Sequence, residues 1–246
     1  MDVLVAILGS VTVVSLISFV GAIFVGLRED LLRRVVMGFV GFASGTLLGG
    51  AFFGLIPESL LRSDAMTASY AVILGIVAFF SIEKFLHWRH CHEENCEVHA
   101  FAYTSLVGDG VHNFIDGMLI AATFMLSFEL GFVTTLAVIF HEIPQEIGDF
   151  GVLIYGGFSK KKALTYNFVS ALTAILGAII TYFLAFLQGI YALLVPFAAG
   201  GFIYIAATDL MPELHKKSHA VESIAQLLSI LLGLGLMAYL TAVIGG

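Results

Sequence analysis

The sequence predicts an all-α, polytopic membrane protein built as an eight-transmembrane-helix bundle. Three observations predict it. Apolar residues fill 59% of the 246 positions and charged residues 12%, against roughly 45–50% and about 25% in a water-soluble domain. Mean hydropathy is +1.01, and the apolar content comes in runs that reach the ~20 residues a helix needs to cross hydrocarbon. Basic residues fall almost entirely on alternate connections between those runs. A chain this apolar cannot clothe itself in polar surface, so its solvent is largely lipid. The same composition excludes a disordered chain, a disulfide scaffold and a nucleic-acid module. Strand-like alternation in ~10-residue segments, the mark of a membrane barrel, is not seen.

Eight stretches qualify as spans: 3–27, 35–60, 68–87, 101–127, 131–158, 162–187, 190–212 and 221–244. With the first residue outside, Arg28, Arg33, Arg34, Lys84, Arg89, Lys160, Lys161, Lys162, Lys216 and Lys217 share the cytoplasmic side, leaving only Arg62 opposite. That is ten of the eleven basic residues, as the positive-inside rule requires, and an added or missing span would scramble it. An even count puts both termini outside. The chain reads as a single domain over 1–246.

The first span lacks a basic n-region and a small-residue cleavage site, and reads as a retained helix and not a signal peptide. In the second, Gly41, Gly45 and Gly49 are four apart, as are Gly50 and Gly54. They form a small-residue ridge, either for close packing or for a sliding contact. Glu58 follows Pro57 at its outer end, as an entrance carboxylate or an ordinary helix-end acid. After the third span, 88–100 is a cytoplasmic His/Cys-rich loop in which His90, Cys91, His92, Cys96 and His99 can bind metal. The alternative is a solvated polar loop, since the spacing matches no closed zinc knuckle. Cys91 and Cys96 on that side are expected as reduced thiols.

The fourth and fifth spans carry the informative residues. The fourth reads Leu106-Val-Gly-Asp-Gly-Val-His-Asn-Phe-Ile-Asp-Gly117 and the fifth Phe140-His-Glu-Ile-Pro-Gln-Glu-Ile-Gly-Asp-Phe150. Facing lipid, Asp116, Glu142, Glu146 and Asp149 would together cost on the order of 10 kcal/mol. They must face the bundle interior. At about 100° per residue, Asp109, His112, Asn113 and Asp116 share one helix sector, and His141, Glu142, Gln145, Glu146 and Asp149 share another. Neither cluster contains Lys or Arg, so a divalent cation is the simplest missing positive charge. Imidazole with carboxylate suits Zn²⁺, with Fe²⁺, Mn²⁺, Cd²⁺ and Co²⁺ as alternatives. Amide ligands such as Asn113 and Gln145 bind weakly, which suits release. Pro144 frees a carbonyl near Phe140 and kinks the fifth helix, as at many transporter sites.

His112-Asn-Phe-Ile-Asp-Gly117 followed by His141-Glu-Ile-Pro-Gln-Glu146 resembles the paired signature of the ZIP (zinc- and iron-regulated transporter-like) family, and length and span number agree over nearly the whole chain. The resemblance implies a metal site, mononuclear or binuclear, between the fourth and fifth helices, built from His112, Asn113, Asp116, His141, Glu142 and Gln145. It implies zinc as transported substrate with no catalytic cofactor, import through the cell membrane by an elevator-like movement, and, for many members, a homodimer. Gln145 departs from the family's usual His or Glu and lowers the ligand charge. Glu146 either supplies the lost carboxylate or faces another helix. Asp109 serves as a transient station or orients His112, and Asp149 shares the fifth-helix stripe. On the seventh span, Asp209 and Glu213 correspond to residues lining the family's release path; the alternative is pairing with Lys216 or Lys217.

Two other readings remain open at this level. An intramembrane zinc-dependent hydrolase is suggested by His141-Glu142, the start of HExxH, although Gln145 stands where the second histidine is needed. A metal exporter or cation channel would use the same ligands in another direction.

Overall fold

The computed structural model describes residues 2–24, 29–88, 98–184, 190–215 and 220–244. Among the described residues the chain forms helices α1 (Val3–Ile17), α2 (Val20–Phe24), α3 (Glu29–Gly49), α4 (Ile56–Arg62), α5 (Ala65–Trp88), α6 (Val98–Leu126), α7 (Phe128–Tyr155), α8 (Lys160–Ala171), α9 (Thr173–Phe183), α10 (Ile190–Ile205), α11 (Met211–His215) and α12 (Ala220–Ile244). Widened turns over Gly50–Leu55 and Ala206–Leu210 join α3 to α4 and α10 to α11. Taken in sequence these make eight rods: α1–α2, α3–α4, α5, α6, α7, α8–α9, α10–α11 and α12. Six of them are long and apolar enough to cross a membrane by length and composition alone. The other two, α6 and α7, are the rods that carry the polar stripes.

The breaks inside rods have local causes. Both widened turns end two residues before a proline, Pro57 and Pro212. A proline has no N–H to donate one turn back, and its ring crowds the carbonyl four residues earlier, so the preceding turn opens. Rods α3–α4 and α10–α11 therefore carry the same device followed by the same Pro-Glu pair. Each widened turn packs against the other rod, Gly50–Leu55 on α10 and Ala206–Leu210 on α3. Between α8 and α9, the Thr173 hydroxyl donates to Ser170 O at 2.6 Å and to Gly110 O at 2.5 Å, drawing backbone acceptors out of the helical ladder. Helix α7 ends at Tyr155, and two residues on the chain turns at Gly157, whose φ of 85° is open to glycine at little cost; Phe158 N then donates to Leu153 O at 3.1 Å.

Buried hydroxyls donate within their own helices, as hydrocarbon demands: Ser44 to Val40 O at 2.8 Å, Thr123 to Leu119 O at 2.9 Å and Thr135 to Gly131 O at 2.7 Å. Outside the spans, Asp64 caps α5 through Met66 N, Thr67 N and the Thr67 hydroxyl. The Thr67 side chain and then its backbone hold the Asp64 carboxyl below its ordinary range. At the outer end of α4, Glu58 pairs with Arg62 at 2.5 Å, one turn away.

Reciprocal glycines clamp three pairs of rods. A Cβ on Gly45 would lie 2.2 Å from Ile230 O, and one on Gly233 2.3 Å from Phe42 O, joining α3 to α12. Gly75 and Gly200 meet Phe197 O and Val72 O at 2.0 and 2.1 Å, joining α5 to α10. Gly117 and Gly177 meet Ala174 O and Phe114 O at 1.8 and 2.0 Å, joining α6 to α9. The ridge of Gly41, Gly45 and Gly49 is thus filled by α12: Gln226 O, Ile230 O and the Met237 side chain face it. Gly117→Ala is expected to lower stability by about 1–3 kcal/mol through overpacking. Gly9→Ala, with nothing within 4 Å, should stay within about 0.5 kcal/mol. Thermal unfolding of the detergent-solubilised variants checks the contrast.

Candidate metal site

Helices α6 and α7 pack side by side, and α3 covers α7. Their polar stripes face each other and not lipid. His141, Glu142, Glu146 and Asn113 are fully buried, Asp116 nearly so. His112 Nε2 lies 3.1 Å from His141 Nε2. Asp116 Oδ2 is 3.0 Å from His141 Nε2 and 3.7 Å from His112 Nε2. Glu142 Oε1 is 3.4 Å from His141 Nε2 and 3.5 Å from His112 Nε2. One ligand atom from each of these four residues falls within 4.8 Å of every other, a set able to hold a metal ion.

The tautomer of His141 follows from its partner. Nδ1 lies 3.1 Å from Ala137 O, one turn back on α7. A carbonyl only accepts, so Nδ1 donates to it, and Nε2 is the ring atom turned toward Asp116, Glu142 and His112. Edge-on contacts seat both rings from other rods: Phe202 on His141 at 5.9 Å between centroids, Phe79 on His112 at 6.4 Å. Phe42 of α3 meets Phe140 of α7 edge-on at 4.8 Å, just before the fifth-helix motif.

A second group, Asp109, Glu142 and Glu146, lies within the same 4.8 Å limit and shares Glu142 with the first. Asn113 Nδ2 donates to Asp109 Oδ1 at 2.9 Å. From α8, Ser170 Oγ donates to Asp109 Oδ2 and Asn167 Nδ2 to Glu146 Oε2. Several buried oxygens nevertheless find no hydrogen-bond donor among the described residues: both of Glu142, Glu146 Oε1, Asn113 Oδ1 and Asn167 Oδ1. Nor does any described lysine or arginine pair with these acids. Unpaired acceptors at this depth are costly unless a cation or proton meets them.

A cavity of about 570 Å³ leads away from the cluster. His112, whose side chain is 13% exposed, opens onto it. Gln145 and Pro144 line its wall, followed by Asp149, Asp209 and Glu213. Asp149 accepts from Ser105 Oγ at 3.0 Å, and Asp209 from Thr208 Oγ1 at 3.0 Å. Lys216 and Lys217, the partners in the alternative reading of Asp209 and Glu213, lie outside the described residues, as do His90, Cys91, His92 and Cys96. His99 falls in the first turn of α6, its side chain likewise outside the description.

Three contributors escaped the sequence reading. Asn167 and Ser170 carry a signal of their own: an amide and a hydroxyl in one turn of a membrane helix need partners. Glu83 stands next to Lys84 at the end of an apolar run, and nothing in its spacing marks it. It lines the cavity and accepts from the Tyr204 hydroxyl at 2.5 Å.

Fold and site together define an integral membrane protein of helical bundle type with a buried imidazole–carboxylate cluster at its centre. The family model described as ZIP zinc transporter matches residues 89–241, more than half of the chain and the whole of both motifs. The chain belongs to the ZIP zinc transporter family, whose members are transporters and not enzymes. It is 32% identical to zinc transporter zipt-7.1 of Caenorhabditis briggsae, over 80% of this chain and 69% of that one. It is 32% identical to zinc transporter ZIP13 of Pongo abelii, over 80% and 64%, and 29% to zinc transporter YKE4 of Saccharomyces cerevisiae, over 83% and 69%. The chain thus spans only about two thirds of these relatives' own lengths.

Replacing Asn167 by Leu removes the donor to Glu146 while keeping volume. The loss should be about 1–3 kcal/mol, the penalty for an unsatisfied buried acceptor, read as a lower thermal midpoint, whereas Asn167→Gln should recover part of it.

Proposed function

We propose that this protein carries zinc, or a divalent cation of similar chemistry, across the membrane into the cytoplasm. The observation that carries the reading is the set of four donor atoms, from His112, Asp116, His141 and Glu142, within 4.8 Å of one another in the bundle interior. Two imidazole nitrogens with carboxylate oxygens suit zinc and its first-row neighbours better than magnesium or calcium. The relatives' printed names point the same way, each being called a zinc transporter. Asn113, Gln145 and Glu146 complete the proposed binding region, one or two ions being accommodated across the shared Glu142.

The proposed path runs from the cluster through His112, the partly exposed ligand, along Asp109 and Asp149 to Asp209 and Glu213 on the cavity wall. Carboxylates spaced along an otherwise apolar cavity lower the barrier for a departing cation without holding it tightly. The basic residues gather at the cytoplasmic end on the positive-inside reading, which supports exofacial termini and an inward release. Placement in the cell membrane and assembly as a homodimer belong to the same proposal.

Alternating access is proposed to divide the bundle where side chains, not glycine backbones, make the contact. The α6–α9, α3–α12 and α5–α10 contacts bring backbone against backbone, with no room for a Cβ at their glycines, and are proposed to stay together. Between the α3–α4 rod and α7 the contacts are softer: a Cβ on Gly50, in the widened turn, would meet Ala137 Cβ at 3.4 Å, and Phe42 of α3 meets Phe140 edge-on. Helices α6 and α7, with the cargo between them, would move as one body against α3.

His112→Ala and Glu142→Ala should each abolish saturable uptake of radiolabelled zinc in proteoliposomes while membrane insertion persists. Unchanged uptake in both would remove the site. His92→Ala should leave the rate nearly unaltered. Competition by Fe²⁺, Mn²⁺, Cd²⁺ and Co²⁺ ranks the accepted ions, and uptake compared between right-side-out and inverted vesicles sets the direction.

A further inference from the structure

A groove of about 410 Å³ lies on the outside of the bundle between α6 and α8–α9, separated from the metal cluster's cavity by α6, whose Val111 borders both. Its walls are Val107, Gly110 and Phe114 on one side and Val169, Ser170 and Thr173 on the other. Gly110 keeps the floor deep: even the nearest side chains, Ser170 and Thr173, would stay 3.7 and 3.8 Å from a Cβ placed there. Val107 and Val169 are 58% and 56% exposed, so the groove opens sideways toward the hydrocarbon.

One end of this groove is chemically marked. Counting back along α8 from Val169, Tyr166 and Lys162 fall on the same helix face, Lys162 seven residues and about 10.5 Å away. On α6, Tyr103 precedes Val107 by one turn on the matching face. The rings of Tyr103 and Tyr166 approach to 6.4 Å between centroids, and both pack on Phe158. Tyrosines with an apolar body and a polar tip sit at the headgroup level of a bilayer. Just beyond them Lys160, Lys161 and Lys162 are exposed, and none pairs with an acid among the described residues. The chain carries a net charge of −7, so three adjacent unpaired lysines are locally exceptional.

We propose that an anionic phospholipid occupies this position, its acyl chain in the α6/α8–α9 groove and its headgroup on Lys160–Lys162. An apolar channel, a tyrosine collar and a cationic rim in that order match the lipid's tail, glycerol level and phosphate. Basic sites beside membrane helices on the cytoplasmic face take such headgroups, each lysine contributing about a five-fold preference over a neutral lipid. The occupant also touches the floor of the polar network. Ser170 Oγ donates to Asp109 Oδ2, and Thr173 Oγ1 to Gly110 O, so a chain in the groove keeps water from the back of Asp109.

The test is lipid retention, which does not depend on transport and therefore stands apart from the metal proposal. The full chain, purified in mixed micelles of detergent with phosphatidylglycerol and phosphatidylcholine, is analysed by native mass spectrometry. At least about ten-fold preferential retention of phosphatidylglycerol is expected. The triple variant Lys160→Gln, Lys161→Gln, Lys162→Gln should lose that preference while keeping some neutral lipid. Val169→Trp, which fills the groove, should lose both; Val107→Trp repeats this from the facing wall if the first does not insert. Circular dichroism establishes that each variant is folded. Equal retention of the two lipids by the unaltered chain, or an undiminished preference in the triple variant, overturns the proposal. So does efficient disulfide cross-linking of two copies through Val169→Cys, which would make the groove a protein interface.

Discussion

Uncompensated negative charge in a low-dielectric interior is the constraint on which the arrangement depends. Asp109, Asp116, Glu142 and Glu146 are all buried, and no described lysine or arginine reaches them. At about 2.5–3.5 kcal/mol for each acid at mid-bilayer, four of them rival the whole stability of a typical fold, about 5–15 kcal/mol. Such a cluster persists only where its partners are built in. Some are: Asn113 and Ser170 donate to Asp109, and Asn167 to Glu146. The rest of the compensation falls to two imidazoles and, on the proposed reading, to the cargo.

Holding those partners in register requires rigid neighbours. Glycine clamps bring α6 onto α9 with the two backbones nearly touching. That contact sets the depth at which α8, the preceding half of the same rod, presents Asn167 and Ser170 to the stripes. The break at Leu172, with Thr173 bonded across to Gly110 O, aims the upper half at α6 while the lower half serves Glu146. Hydrophobic packing alone could not do this in lipid, where apolar contacts gain little over solvent and close backbone approach and hydrogen bonds supply the specificity.

The stripes were legible because charge is so improbable in a membrane helix that its spacing reads directly as a face. His112, Asp116, His141 and Glu142 meet as the helical arithmetic of α6 and α7 requires. The eight rods were legible from hydropathy and basic residues, although α6 and α7 are too polar to pass on apolarity alone. Less was legible where the cause is tertiary. The prolines Pro57 and Pro212 announce a disturbance, but not that the turn before each would widen instead of kink. The glycine ridge of α3 named a close contact without naming α12. Asn167 could not be assigned, since one amide in an apolar run has no direction until a neighbouring helix supplies its partner.

Glu142 is the residue where the two groups join, and its position bears on how an ion could be released. The first group offers nitrogen and oxygen, the second oxygen alone. Two acids of the second group already accept amide or hydroxyl hydrogens, so they need the ion less than Glu142 does, both of whose oxygens lack a hydrogen-bond donor. A cation drawn to Glu142 therefore has two sets of neighbours, a stronger one with imidazoles and a weaker one whose charge is partly satisfied. On the proposed reading the weaker side limits affinity. A transporter needs binding deep enough to strip water from the ion yet shallow enough to let it go. On the proposed reading, amide donors that satisfy the acids in the absence of cargo would achieve that by stabilising the unloaded protein, without removing a single ligand.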